Sequence, residues 1–221
     1  MSVHWFAPSS RGTLVLSTAW SSSGARQFPG LRPRPVSSQD QPILLFTGDM
    51  GFGPNVDAAI LLATRVFPEV RHRFPQAELR LVGRNPSPRV LHLSGPGITV
   101  TGQVDDMRPY LHQATLYVAP HFTGAGTRTK LLEAMAAGLA IVTTSIGIEG
   151  IEATHDREVI IADDPAALSR AALRLLDNPQ ERAQLGASSR RLVEQRYDWS
   201  LCLQPLECLY KTLSSVKVAP C

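Results

Sequence analysis

The chain has 221 residues, 43% of them hydrophobic, and a formal net charge of +3, enough for one domain with a real core plus a tail. The whole excess sits in residues 1–40, where Arg11, Arg26, Arg32 and Arg34 face Asp40 alone (4 − 1 = +3). The rest balances (22 − 4 = 18 basic, 19 − 1 = 18 acidic), which argues against a nucleic-acid-binding face. No apolar run reaches the roughly 20 residues of a membrane span, and TLVLSTAW (13–20) is too short and polar for a signal peptide. A cytoplasmic protein is expected, with Cys202, Cys208 and Cys221 as free thiols outside any metal-type spacing.

Nine Ser, four Pro and three Gly among residues 1–40 leave no helical or strand period, so this segment is expected to be a disordered, low-complexity tail. Residues 41–221 are expected to form one domain. ILLFTG (43–48) suits a buried parallel strand ending in glycine. A helical pattern follows over residues 55–74, broken or kinked at Pro68. ELRLVG (78–83) and GITVTG (97–102) are the second and third strands, with a short helix between them. DMRPYLHQA (106–114) makes a helical turn or two before the fourth strand, TLYVAP (115–120). A glycine-rich turn and helix, LAIVTTS (139–145) and EVIIAD (158–163) complete six strands. Helices then run over 165–178, 179–197 and 200–213. Strands alternating with helices in this way predict a single doubly wound, Rossmann-like parallel sheet with a C-terminal helical segment.

In such a sheet ligands bind beyond the carboxyl ends of the strands. Gly48, Gly83, Gly102 and Gly124 all follow strands at that edge, either as plain turn residues or as points of close ligand approach. GAGTRTKLLEAMAAG (124–138) raises a sharper question, because it sets Arg128 and Lys130 in the first turn of a helix. Cations there oppose the helix dipole by roughly 0.3–1 kcal/mol each. Gly124 and Gly126 free the backbone, Thr127 or Thr129 can cap the helix, and the two cations with the exposed amides can cradle a phosphate or pyrophosphate. The alternative is that both side chains face solvent, with Lys130 paired to Glu133. His121, two residues after the fourth strand ends, is placed for contact with the same ligand. His72, His92, His112 and His155 read as ordinary surface.

GTRTKLLEAMAAG (126–138) followed by AIVTTSIGIEGI (140–151), with LRLVGRNP (79–86) and ITVTGQVDDMRPYL (98–111) upstream, resembles the donor-binding half of the family-four glycosyltransferases. The likeness spans residues 43–212. It implies half of a GT-B architecture, in which two Rossmann-like domains face each other and the C-terminal one binds the nucleotide sugar. On that likeness Glu133 corresponds to the glutamate that binds the ribose. Arg128 and Lys130 would hold the donor diphosphate, as the residues nearest the reaction, with amides around Gly126 and Thr127. Gly48 matches the glycine turn facing the phosphates, and Asn55 a polar residue at the start of the first helix, its role open. Arg84 and Val104 match positions flanking the base, Val104 through its backbone.

Two features depart from the commoner family pattern. Ala125 stands where most members carry a second glutamate, near the donor sugar. GDMGFGPN (48–55) lacks the usual Arg and Lys after the first strand, a charge that Arg128 and Lys130 are expected to supply from the opposite side. The chemistry implied is transfer from a UDP or GDP sugar with retention at the anomeric carbon. No metal or other cofactor is expected, since Asp105–Asp106 and Asp163–Asp164 are adjacent pairs rather than Asp-X-Asp. The 40 residues before the first strand cannot form an acceptor domain, so the expectation is a donor half. The alternatives are a subunit of a split glycosyltransferase, whose acceptor half a partner protein supplies, and a non-catalytic nucleotide-sugar-binding remnant whose acceptor half is lost. Leu201, Leu203, Leu206 and Leu209 on the last helix are then expected to be partly exposed.

Overall fold

The computed structural model describes residues 41–124 and 129–215. The expected tail over residues 1–40 lies outside them, as do Ala125, Gly126, Thr127, Arg128 and Cys221. Six strands form one sheet: β1 (Ile43–Thr47), β2 (Glu78–Val82), β3 (Ile98–Val100), β4 (Leu116–Ala119), β5 (Ile141–Thr143) and β6 (Ile160–Ile161). Their order is β3-β2-β1-β4-β5-β6, and every pairing is parallel. This is the doubly wound arrangement, and the order reverses between β1 and β4.

The central strands are buried along their whole length, ILLFT in β1 and LYVA in β4. That burial on both faces is why their sequences run continuously apolar instead of alternating. Helices cover the two faces: α1 (Gly53–Leu61), α2 (Phe67–Arg73), α3 (Pro88–Leu91), α4 (Arg108–Gln113), α5 (Thr129–Ala136), α6 (Pro165–Asp177) and α7 (Pro179–Arg196). Between α1 and α2 the kink expected at Pro68 is a π-helical turn, Leu62–Val66, closed by the Phe67 amide bonding to the Leu62 carbonyl. Pro68 then occupies the first turn of α2, where its missing N–H costs no helical bond.

Strand ends fall inside the predicted limits, because pairing stops where turns begin. After β5, for example, Thr144 Oγ1 bonds back to the His121 carbonyl and accepts from the Gly147 amide at 2.9 Å. α8 (Trp199–Ser215) follows α7, with Leu201, Leu206 and Leu209 exposed and Leu203 half-buried, as expected. Cys202 and Cys208 are free thiols on this helix. Among the described residues no helix is long and apolar enough to cross a membrane.

Candidate functional site

The β1/β4 switch point gathers residues from four elements. Gly48 follows β1, Asn55 sits in the first turn of α1, His121 follows β4 and Lys130 opens α5. Lys130 Nζ donates to Asn55 Oδ1 at 2.5 Å and lies 3.1 Å from His121 Nε2. It also stands 5.0 Å above the centre of the Phe46 ring, a cation–π distance. Asn55 is buried, and its amide nitrogen donates to the Asp49 carbonyl at 2.9 Å, which fixes its oxygen toward Lys130. Lys130 is therefore turned into the site, not out to solvent.

Two glycines make this convergence possible. A Cβ on Gly48 would stand 2.8 Å from Asn55 Nδ2 and 3.2 Å from Lys130 Nζ. A Cβ on Gly83 would overlap the Gly48 carbonyl oxygen at 1.7 Å, so the turns after β1 and β2 pack backbone to backbone. The Gly48 amide bonds to the Val82 carbonyl at 3.0 Å, and that of Met50 to the Arg84 carbonyl at 2.8 Å. Arg84 completes the link by donating Nε to the Asp49 carboxylate at 2.9 Å. The Gly51 amide and Arg84 together hold the Asp49 carboxyl below its usual range. Contacts thus run from Arg84 through Asp49 and Asn55 to Lys130 and His121.

Glu133 lies one turn further along α5, half-buried. Burial raises its carboxyl above the usual range, and the Lys130 charge opposes that rise. Tyr117, fully buried, shares a hydrogen bond with Thr47 Oγ1 at 2.8 Å. Burial first, and the Glu133 charge with it, pushes the phenol up. Val104 stands apart, half-buried on the loop after β3 and packed against the core. Gly124 takes a φ of +102°, which suits the turn leading to α5. Arg128, Gly126 and Thr127, the rest of the expected cradle, lie outside the described residues. The other four histidines among the described residues fall as expected for surface groups, His72, His92 and His155 exposed and His112 half-buried.

Sequence reasoning missed Thr47, Tyr117 and Asp49, which have side-chain partners 35 to 70 positions away. The only signals were a polar-tipped aromatic inside an apolar strand and an aspartate directly after a strand-end glycine. Three of the four adjacent aspartates have local duties. Asp106 binds Arg108 and Asp163 accepts from Ser145, which lowers both carboxyls, while Asp164 caps α6 by accepting from the Ala167 amide at 2.7 Å. Among the described residues no three His, Cys, Asp or Glu side chains converge.

Comparison with known proteins bears on the fold and the family. The model of the glycosyl transferases group 1 family matches residues 41–178. A phosphatidyl-myo-inositol mannosyltransferase of Mycolicibacterium smegmatis is 31% identical over 172 residues, covering 75% of this chain and 44% of the relative. Its counterpart in Mycobacterium tuberculosis is 31% identical over 173 residues, covering 73% and 45%. The chain thus spans less than half the length of these relatives. Among solved structures, the C-terminal domain of a group 1 family protein from Francisella tularensis superposes with a TM-score of 0.61 at 16% identity, over 76% of this chain and 96% of that one. Sucrose-phosphate synthase from Thermosynechococcus elongatus gives 0.64 at 22% identity, over 82% of this chain but 47% of its own. The sheet is thus that of the C-terminal half of a GT-B fold. With a match that runs from β1 through α6 and takes in every strand, the chain belongs to the glycosyl transferases group 1 family.

Proposed function

We propose that residues 41–221 bind the diphosphate of a nucleotide sugar and serve its retaining, metal-independent transfer to an acceptor. The observation that carries this reading is the fixed ammonium of Lys130 at the switch point, beside a glycine turn where any Cβ would press on Asn55 and Lys130. A departing nucleotide diphosphate gathers negative charge in the transition state. A cation already in place, at the amide end of a helix, stabilises it without reorganisation. Lys130, with Arg128, is assigned to the diphosphate, Gly48, Gly124, Gly126 and Thr127 to its backbone cradle, and Glu133 to the ribose hydroxyls. Arg84 and Val104 flank the base, with Asn55 and His121 around the phosphates. The naming of several relatives as mannosyltransferases makes mannose on UDP or GDP the first donor to try.

The acceptor is assigned to a domain outside residues 41–221, in this or a partner polypeptide. Phe52, Phe122 and Ile146, exposed on the loops after β1, β4 and β5, support a covering domain at that edge. We place the activity in the cytoplasm.

Calorimetric titration with UDP, GDP and ADP, with and without EDTA, tests the reading. One diphosphate is expected to bind, unaffected by the chelator. Lys130→Ala should weaken it roughly ten- to a hundredfold, the worth of a charge-assisted hydrogen bond of about 1.5–3 kcal/mol. No binding by the wild-type chain at millimolar nucleotide would refute it.

A further inference from the structure

His121 is fully buried, with 0% of its surface exposed, so the ring addresses Lys130 rather than open solvent. Its backbone is tied at both ends. The amide donates to the Ala119 carbonyl at 3.0 Å, and the carbonyl accepts from Thr144 Oγ1. The ring packs against Phe46, 5.5 Å between centroids and tilted by 50°. Nε2 is therefore a fixed point, 3.1 Å from both Lys130 Nζ and Asn55 Oδ1.

Those distances admit two proton arrangements. A proton on Nε2 would donate to Asn55 Oδ1, but it would also set an N–H dipole against an ammonium 3.1 Å away. A proton on Nδ1 instead turns the Nε2 lone pair toward that ammonium. Nε2 and Asn55 Oδ1 then become two acceptors converging on one cation. The Nδ1 proton is itself sealed from solvent, and burying an N–H there costs about 1–3 kcal/mol. At 3.1 Å and away from bulk water, exchanging a repelled N–H dipole for a lone pair facing the ammonium outweighs that cost and the contact between the two acceptors. We infer that His121 is a positioning residue, neutral and protonated on Nδ1, whose Nε2 lone pair joins Asn55 in pinning Lys130 at the turn after β1. The inference rests on the proposed diphosphate role of Lys130 for its consequence, though not for its geometry.

A lysine on a free four-carbon stem samples many rotamers, and ordering it on binding would cost affinity. The two acceptors settle that ordering before the ligand arrives. His121→Leu keeps the bulk and removes the acceptor, and is expected to weaken diphosphate binding about tenfold, within the coupling range of contacting residues. His121→Gln, which restores an acceptor oxygen, should recover most of that loss. In a Lys130→Met background the His121→Leu change should alter binding less than about twofold, since its effect runs through the missing ammonium. An equal loss in both backgrounds would overturn the positioning role.

A ligand-free measurement separates this inference from the proposed function. Long-range proton–nitrogen spectra of the side chains in the full wild-type chain should show His121 with an unprotonated Nε2 and a protonated Nδ1. An Nε2–H tautomer or an imidazolium would sink the inference, even if a diphosphate binds. Failure of every nucleotide to bind, beside the expected tautomer, would sink the proposed function and leave the Lys130 lock standing.

Discussion

Gly48→Ala is the most informative single substitution, because it introduces one methyl group where the fold and the site meet. Its Cβ would lie 2.8 Å from Asn55 Nδ2 and 3.2 Å from both Asn55 Cγ and Lys130 Nζ. Comfortable separations begin near 3.5 Å, so the Asn55 amide must retreat by about 0.7 Å. Asn55 is buried and held by its bonds to Asp49 and Lys130, and a shift of that size stretches a 2.9 Å hydrogen bond beyond useful length. Overpacking of this kind costs about 1–3 kcal/mol. For a domain of this size that lowers the thermal midpoint by roughly 2–12 °C. Displacing Lys130 should also cost about tenfold or more in diphosphate affinity. Gly83→Ala is the control for severity, since its Cβ meets the Gly48 carbonyl oxygen at 1.7 Å and φ is +149°. Backbone cannot rotate away as a side chain can, so this variant should lose the fold itself. Differential scanning fluorimetry and calorimetric titration check both. A Gly48→Ala chain with a midpoint within a degree of wild type and affinity within twofold would refute the packing reasoning.

Arg182 and Glu133 offer two further tests away from the glycines. Arg182 is buried and donates to the Leu175 and Leu176 carbonyls at the end of α6, at 2.5 and 2.8 Å. Arg182→Met removes a desolvated charge but strands both carbonyls, so a net loss of about 2 kcal/mol is expected in urea denaturation, with unchanged slope. Glu133 has its folded pKa raised by burial above the ordinary 4.5, so the fold favours its protonated form. Its contribution to stability is fully present below that ordinary value and is lost as pH rises through the folded one. Glu133→Gln should therefore unfold at a higher temperature than wild type at pH 7, with the gap closing below about pH 4.5. A gap that persists into acid would show that charge burial is not its cause.

The strands were legible because a parallel sheet buried on both faces leaves a plain trace, ILLF in β1 and LYVA in β4. Their ends were less so, since pairing is terminated by side-chain bonds such as Thr144 to His121, 23 residues apart. Pro68 announced a break in the first helix. The form of that break, a widened turn before the proline, depends on backbone register that no single residue reports. Arg84 was legible as a residue at the ligand edge, but its bond to Asp49, 35 positions back, was not. Asn55 and His121 were each singled out without a partner. They meet across 66 residues, and Lys130 joins Asn55 across 75.

Lys130 also answers the question its position raised. A cation in the first turn of α5 opposes the dipole by roughly 0.3–1 kcal/mol. Asn55 Oδ1, His121 Nε2 and the Phe46 ring face it from three other elements, and the ring alone is worth about 0.5–2 kcal/mol. The dipole penalty is thus offset before any anion arrives. The charge that GDMGFGPN lacks is delivered to the β1 turn from α5, within 3.2 Å of where a Gly48 side chain would begin. Such a lysine gains less from a diphosphate than a loose one would in raw interaction, and loses less in ordering. On the proposed reading, Asn55→Ala should therefore leave a bound complex possible while slowing its formation. A free Lys130 must first find the turn, so the deficit should appear in the association rate. Stopped-flow binding of the diphosphate would separate the two rate constants. A deficit confined to dissociation would mean that Asn55 holds the ligand and not the lysine.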